Sequence, residues 1–365
     1  MDPSIYISNM NHTIFIKNIN KPLKDTKYIE KPLKDVNNKE NVRTKIVNYS
    51  PISINEVNIC HIIEQIPYYS NFFSIIDEYK PLHISELDYT TIPNLTASYY
   101  LFTYYDKHST TFTDHFYNEP TIPKLISDTI DSFQHLLDGL ILLHQHNICV
   151  FDMSPSNILF LEEYREKPVI RGYHYSLDLR RLNMDYISSI LNEIDDFTYK
   201  PFEIHVLYYF TTHKINTISY SFIEEFCDEF IDNMSKSVLR LFSESYKQSY
   251  KQHCVQMLKS YINCPTNQII NDLLERSEKW DVYSISMIYI HLFGCISRVF
   301  SLKGTFISSI TIQLMKNLHP DSDQRMTLEE TLDMFHYSLN EKRDWSFIHC
   351  LDHHKLTTLF DEFSK

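Results

Sequence analysis

The stretch LLHQHNICVFDMSPSNILF, residues 142–160, decides the reading of this chain. An aspartate, Asp152, and an asparagine, Asn157, stand five residues apart in a short proline-containing loop. On either side, Ile148–Phe151 and Ile158–Phe160 read as short strands. An acid and an amide at this spacing suit phosphoryl transfer. The carboxylate can orient a hydroxyl and accept its proton, and the amide carbonyl can hold a metal ion on the phosphates. A connecting loop with an Asx turn is the plainer alternative.

Working outward, Pro123–His146 is the clearest helix, with Leu125, Ile126, Ile130, Phe133, Leu136, Leu137, Leu140 and Leu143 at spacings of three and four. The first fifty residues read as short β segments, Ile5–Ile7, Thr13–Lys17 and Val42–Val47, around a duplicated KPLKD at 21–25 and 31–35. Ser53–Ile66 reads as a helix with Ser53 as N-cap, Glu56 at capping-box spacing and Pro67 as its stop. Phe72–Ile76 and Tyr99–Tyr105 read as strands, Asp106–Thr111 as a polar hinge, and Val169–Leu177 as one strand. Residues 204–276 are mostly helical in pattern; Lys279–Phe293, Phe306–Leu318 and Thr327–Tyr337 are further helices. The expectation is an α+β protein, with a β-rich N-lobe over 1–105 and a helical C-lobe over 106–365.

Composition narrows the class. Hydrophobic residues make up 43% and charged residues 22% of 365, an ordinary globular balance with ample core. A net charge of -13 argues against nucleic acid or an anionic membrane surface as partner. No apolar run reaches the length of a membrane span; the nearest, Val282–Ile296, contains His291. Seven scattered cysteines without a C-x-x-C pair imply free thiols in a reducing, cytoplasmic setting. Ala97 is the only alanine and glycines number four, while Ile, Asn, Lys and Tyr abound, which implies an AT-rich genome such as that of a large DNA virus or some protists.

At residues 150–160, VFDMSPSNILF, the chain resembles the catalytic loop of the eukaryotic-type protein kinase superfamily, H-R-D-L-K-P-x-N-I-L-L. Three further likenesses follow in order. YKPFE at 199–203 is similar to the A-P-E closing the activation segment. WDVYS at 280–284 is similar to the S-D-V-W-S that opens the central helix. LMKNLHPDSDQRMTL at 314–328 is similar to the L-x-x-x-L-x-x-D-P-x-x-R-x-T segment. The resemblance implies a two-lobed fold that moves the ATP γ-phosphate to a protein Ser or Thr, with ATP and Mg²⁺ as cofactors. It implies Asp152 as base, Asn157 as metal ligand, Arg325 as partner of Glu203, and Asp281 on the catalytic-loop backbone. Lys45 would anchor the phosphates, oriented by Glu56, with the nucleotide beneath Tyr99–Asp106, including Tyr104 and Tyr105. Lys17 and Glu64 are the competing lysine and acid.

The departures matter as much. No glycine precedes Gly139, so the phosphate-cradling glycine loop is absent. Val150 and Phe151 replace the His and Arg of H-R-D, and Ser154 replaces the usual lysine. The metal-binding D-F-G admits three registers, with Ile170, Ser176 or Asp178 at the metal position; Asp178 alone supplies a carboxylate and is preferred. Residues 204–276 are an insertion, either a docking surface or a cover. The rival to the enzyme is a pseudokinase, the same fold acting as a scaffold; a small-molecule phosphotransferase is third. His349, Cys350, Asp352, His353 and His354 form a cluster whose spacing fits no standard zinc site.

Overall fold

The computed structural model describes residues 5–7, 14–16, 43–82, 99–104, 109–119, 121–161, 167–213, 215–235, 238–341 and 345–363; the KPLKD repeat lies outside them. The protein is mixed α+β and divides into two compact units, Met1–Thr110 with Leu159–His174, and Thr111–Ile158 with Tyr175–Lys365. The segment 159–174, which pattern alone assigns to the helical portion, thus belongs with the β-rich unit.

In the first unit, β1 (Ile5–Ile7), β2 (Ile14–Ile16), β3 (Arg43–Asn48), β4 (Glu78–Leu82) and β5 (Tyr99–Tyr104) form one antiparallel sheet in the order β1-β2-β3-β5-β4. Phe102 of β5 is fully buried and lies opposite Lys45 and Tyr79 in register. Helix α1 (Pro51–Glu64) starts earlier than expected. Its N-cap is Ser50, which exchanges hydrogen bonds with Ser53, and Pro51 sits where its missing N–H costs nothing. Its buried residues are Ser53, Glu56, Val57, Ile59, Cys60 and Ile63.

Two expected strands are corrected here. Residues 72–76 form a single bridge, Phe73 to Ile170, rather than a strand. The run 169–177 breaks in two: β9 (Lys167–Ile170) ends where Gly172 takes a φ of 76°, a left-handed conformation that suits glycine. The polar stretch before residue 111 also carries β6 (Ser109–Thr111), which joins β8 (Ile158–Leu161) and β9 in a three-stranded sheet of order β6-β8-β9. Asn55 of α1 donates to the His174 carbonyl at 3.0 Å, tying the returning segment to the helix.

The second unit is helical: α2 (Phe112–Tyr117), α3 (Ile122–Gln145), α4 (Met184–Leu191), α5 (Phe202–Thr212), α6 (Tyr220–Ser235), α7 (Glu244–Lys259), α8 (Thr266–Leu274), α9 (Trp280–Val299), α10 (Phe306–Lys316), α11 (Leu328–Glu341) and α12 (Leu356–Phe363). The eight apolar positions of α3 named above, Leu125 to Leu143, are all buried. Thr327 and Glu330 close a capping box at the start of α11. Helix α9 is the core helix. With the turn before it, Ser277–Val299 is long and apolar enough to cross a membrane, but 72% of that window is buried against the rest of the protein. Two short strands, β7 (Ile148–Cys149) and β10 (Leu177–Asp178), pair antiparallel, and β7 packs on α3.

Candidate functional site

The loop 150–157 hangs from β7 and is shaped by Asp281. That carboxylate is fully buried and accepts from the backbone N–H of Val150 at 2.8 Å and of Phe151 at 2.9 Å. The clamp has work to do, because Phe151 adopts φ 63°, a conformation that costs a non-glycine residue about 1–2 kcal/mol. His144 of α3 is a third partner of Asp281, at 2.9 Å through Nε2. Phe151 is buried, its ring 5.4 Å from that of Trp280. Apolar packing thus fills the place where the resemblance implies an arginine.

Asp152 and Asn157 are both in the second unit, and each is engaged. Asn157 is buried, and its Oδ1 accepts from the Ser154 hydroxyl at 2.6 Å. Asp152 accepts from Lys200 Nζ at 2.5 Å. That lysine is 3% exposed, donates also to the Asp196 carbonyl at 2.8 Å, and lies 5.9 Å from the Phe151 ring centre. Lys200 was not singled out in the sequence. It stands inside YKPFE, yet nothing local links it to a residue 48 positions earlier.

Glu203 and Arg325 form a double ion pair at 2.6 and 2.7 Å, both side chains essentially inaccessible to water. Arg325 also donates to the carbonyls of His319 at 2.6 Å and Pro320 at 3.1 Å. Tyr199, next to Lys200, is held to α9 by the Ser284 hydroxyl, which donates to its carbonyl at 2.8 Å.

The three registers of the metal carboxylate can be compared directly. Ile170 is buried at the end of β9, its N–H and carbonyl bonded to Phe72 and Ser74. Ser176 is fully buried and donates to the Val150 carbonyl at 3.1 Å. Asp178 is the last residue of β10 and the N-cap of a turn; its carboxylate accepts from the Arg180 backbone at 3.2 Å and from the Arg180 guanidinium at 2.8 and 3.1 Å. Of the three, Asp178 alone supplies a carboxylate. It caps a local turn, and the strand that precedes a glycine is β9, followed by Arg171 and Gly172. Mg²⁺ takes carboxylate oxygen, and of the three positions only Asp178 has one, with both of its oxygens on the half-exposed Arg180.

Among the described residues, two groups of three His, Cys, Asp or Glu side chains lie close enough to share an ion: His144, Cys149 and Asp281, and His115, Glu119 and Asp128. Neither includes Asp152 or Asp178. In the first, burial and then the Asp281 carboxylate push the Cys149 thiol well up, which keeps it protonated and a poor ligand. The second already holds the Lys124 ammonium, 2.6 Å from Glu119 and 3.0 Å from Asp128.

The residues assigned to the nucleotide lie in the first unit. Lys45 is on β3, paired in register with Phe15 and Phe102; its side chain and that of Tyr104 lie outside what is described, as does Tyr105 altogether. Glu56 is 2% exposed on α1. Of the C-terminal His/Cys cluster, the described part occupies short 3₁₀ turns at Ser346–Cys350 and His353–Lys355. No protein-family model matches this chain, and no curated protein matches it in sequence.

Proposed function

We propose that this chain is a protein kinase-like domain that works as a binding module and has lost metal-dependent phosphoryl transfer. The kinase-like part of the reading is supported by two contacts that the resemblance requires of residues far apart in sequence, Asp281 on the Val150 and Phe151 backbone and Arg325 on Glu203. Asp152 and Asn157 on one loop after α3 agree with it. A two-lobed arrangement is part of the same reading. The loss of transfer is carried by one observation: of the three positions open to the metal-binding acid, Ile170 and Ser176 carry no carboxylate, and Asp178 caps a turn with both oxygens on Arg180. Without that acid the phosphates lack the charge neutralisation on which this chemistry depends. The protein partner and any viral origin belong to this reading as well.

A surviving protein Ser/Thr kinase is the second reading, favoured by Lys200. Its ammonium on Asp152 supplies a positive charge that Ser154 cannot. Thermal unfolding with ATP, with and without Mg²⁺, separates the two. A ligand at about 100 times its dissociation constant stabilises by about 2.7 kcal/mol. The binding-module reading expects no Mg²⁺-dependent shift at millimolar ATP and no transfer of labelled γ-phosphate to protein. A Mg²⁺-dependent shift accompanied by transfer that Asp152→Asn abolishes would overturn it.

A further inference from the structure

At the start of the helical unit, His115, Glu119 and Asp128 bring one imidazole nitrogen and two carboxylates together, their donor atoms within 4.8 Å of one another. His115 lies on α2, Asp128 on α3, and Glu119 in the connection between them. His115 Nε2 stands 3.3 Å from Asp128 Oδ2. A tetrahedral zinc ion, with bonds of about 2.0–2.2 Å to nitrogen and oxygen, sets its donors about 3.4 Å apart. This edge of the cluster is therefore already spaced for the metal. His115 and Glu119 are four residues apart, but α2 ends at Tyr117, so no helical spacing announces the group in the sequence.

A cation already sits in the cluster. Lys124 Nζ lies 2.6 Å from Glu119 Oε2 and 3.0 Å from Asp128 Oδ2. It satisfies the group only in part. The Glu119 side chain is 4% exposed, and its other oxygen, Oε1, is buried with no hydrogen-bond partner. A buried carboxylate oxygen in that state is costly and asks for a water or an ion. Two carboxylates balance one divalent cation, whereas a single ammonium leaves them one charge short. The ammonium is also the part able to leave. Lys124 is 45% exposed on a flexible stem, while His115 and Glu119 are buried. One imidazole with two carboxylates is a donor set for zinc; Mg²⁺ and Ca²⁺ take oxygen throughout.

We infer that His115, Glu119 and Asp128 bind a zinc ion, which takes the place of the Lys124 ammonium and joins α2 to α3. Water completes the fourth position. Helix α2 packs on the turn Pro155–Asn157, so an ion that fixes α2 also steadies the end of the loop 150–157. The inference goes beyond the binding-module reading and uses none of the residues assigned to nucleotide or transfer.

The test is calorimetric titration of the full, chelator-treated chain with Zn²⁺, and with Co²⁺ as a spectroscopic probe of the same site. One tight equivalent is expected, with a visible Co²⁺ spectrum of four-coordinate nitrogen and oxygen ligation and no near-ultraviolet thiolate band. His115→Gln and Glu119→Gln should each weaken zinc by more than the about tenfold that loss of an outer-shell partner costs. Lys124→Met removes the competing cation and should tighten zinc about tenfold. That half-exposed position keeps the test open even where a ligand variant fails to fold. Equal zinc binding by the original chain and both glutamine variants would place the ion elsewhere and overturn the inference. A thiolate band at one equivalent of Co²⁺, no binding at millimolar Zn²⁺, or unchanged or weaker binding in Lys124→Met would overturn it as well. No nucleotide enters this titration, so its outcome is independent of whether the chain transfers phosphate.

Discussion

Breaking the Glu203–Arg325 pair from one side should be among the most damaging single changes in the helical unit. Both side chains are at or below 1% exposure, and the guanidinium makes two bonds to the carboxylate and two more to the His319 and Pro320 carbonyls. Glu203→Leu strands a buried guanidinium, which cannot shed its proton. Orphaning one partner of such a pair costs about 3–5 kcal/mol. For a unit of this size, each kcal/mol lowers Tm by about 2–4 °C, so a drop of about 6–20 °C is expected. Arg325→Met should cost at least as much, since it strands the carboxylate and two carbonyls. The double variant Glu203→Leu/Arg325→Met removes both charges together and should be more stable than the two single losses predict, by about 3 kcal/mol in a urea-unfolding cycle. Salt should leave the cost nearly unchanged, because a pair closed to water is poorly screened. If Glu203→Leu costs under about 1 kcal/mol, or the two changes simply add within about 0.5 kcal/mol, the pair does not anchor α5 and the argument fails.

Four further outcomes follow from the same geometry. Asp178→Ala should lose about 1 kcal/mol of stability as a missing cap, little of it from the half-exposed Arg180, and should leave any ATP-induced thermal shift unaltered. Lys200→Met should free the segment 195–203 from the loop at Asp152 and cost about 1–3 kcal/mol, seen as faster limited proteolysis there; Asp152→Asn added to it should recover part of the loss. Gly172→Ala should cost about 1 kcal/mol in urea unfolding, because a Cβ is strained at φ 76°. Acid should destabilise the helical unit. His205 and His291 both have pKa values lowered to about 4, by burial first and then by Lys200 for His205 and by Arg240 and Arg298 for His291. The unfolded chain, with histidines near 6.5, binds the extra protons, so stability falls as pH drops from 6.5 towards 4. Tm measured across that window should decline less steeply in His291→Phe.

Much of the helical unit was legible because its signals are local. The spacing of Leu125 to Leu143 specifies a buried stripe whatever surrounds it, and Thr327 with Glu330 specifies a helix start. Asp281, Glu203 and Arg325 could be named because three motifs stood in one order along the chain. The misreadings were also local. Ser53 has an acid at capping-box spacing, but Ser50, just ahead of Pro51, takes the cap. The apolar run 169–177 looks continuous, yet one glycine turns it between β9 and β10.

The site divides along the same line. The inventory of chemistry was in the sequence: an acid and an amide on one loop, no glycine ahead of residue 139, and three possible positions for a metal carboxylate. The availability of those groups was decided by the tertiary structure. Asp152 is met by Lys200 from 48 residues away, and Val150 and Phe151 are held by Asp281 from still farther. The grouping of His115, Glu119 and Asp128 exists only where the chain turns from α2 into α3. A charge is recorded by its residue type, but whether it is free to act depends on what lies within about 3 Å of it, and long-range closure of the chain sets that distance.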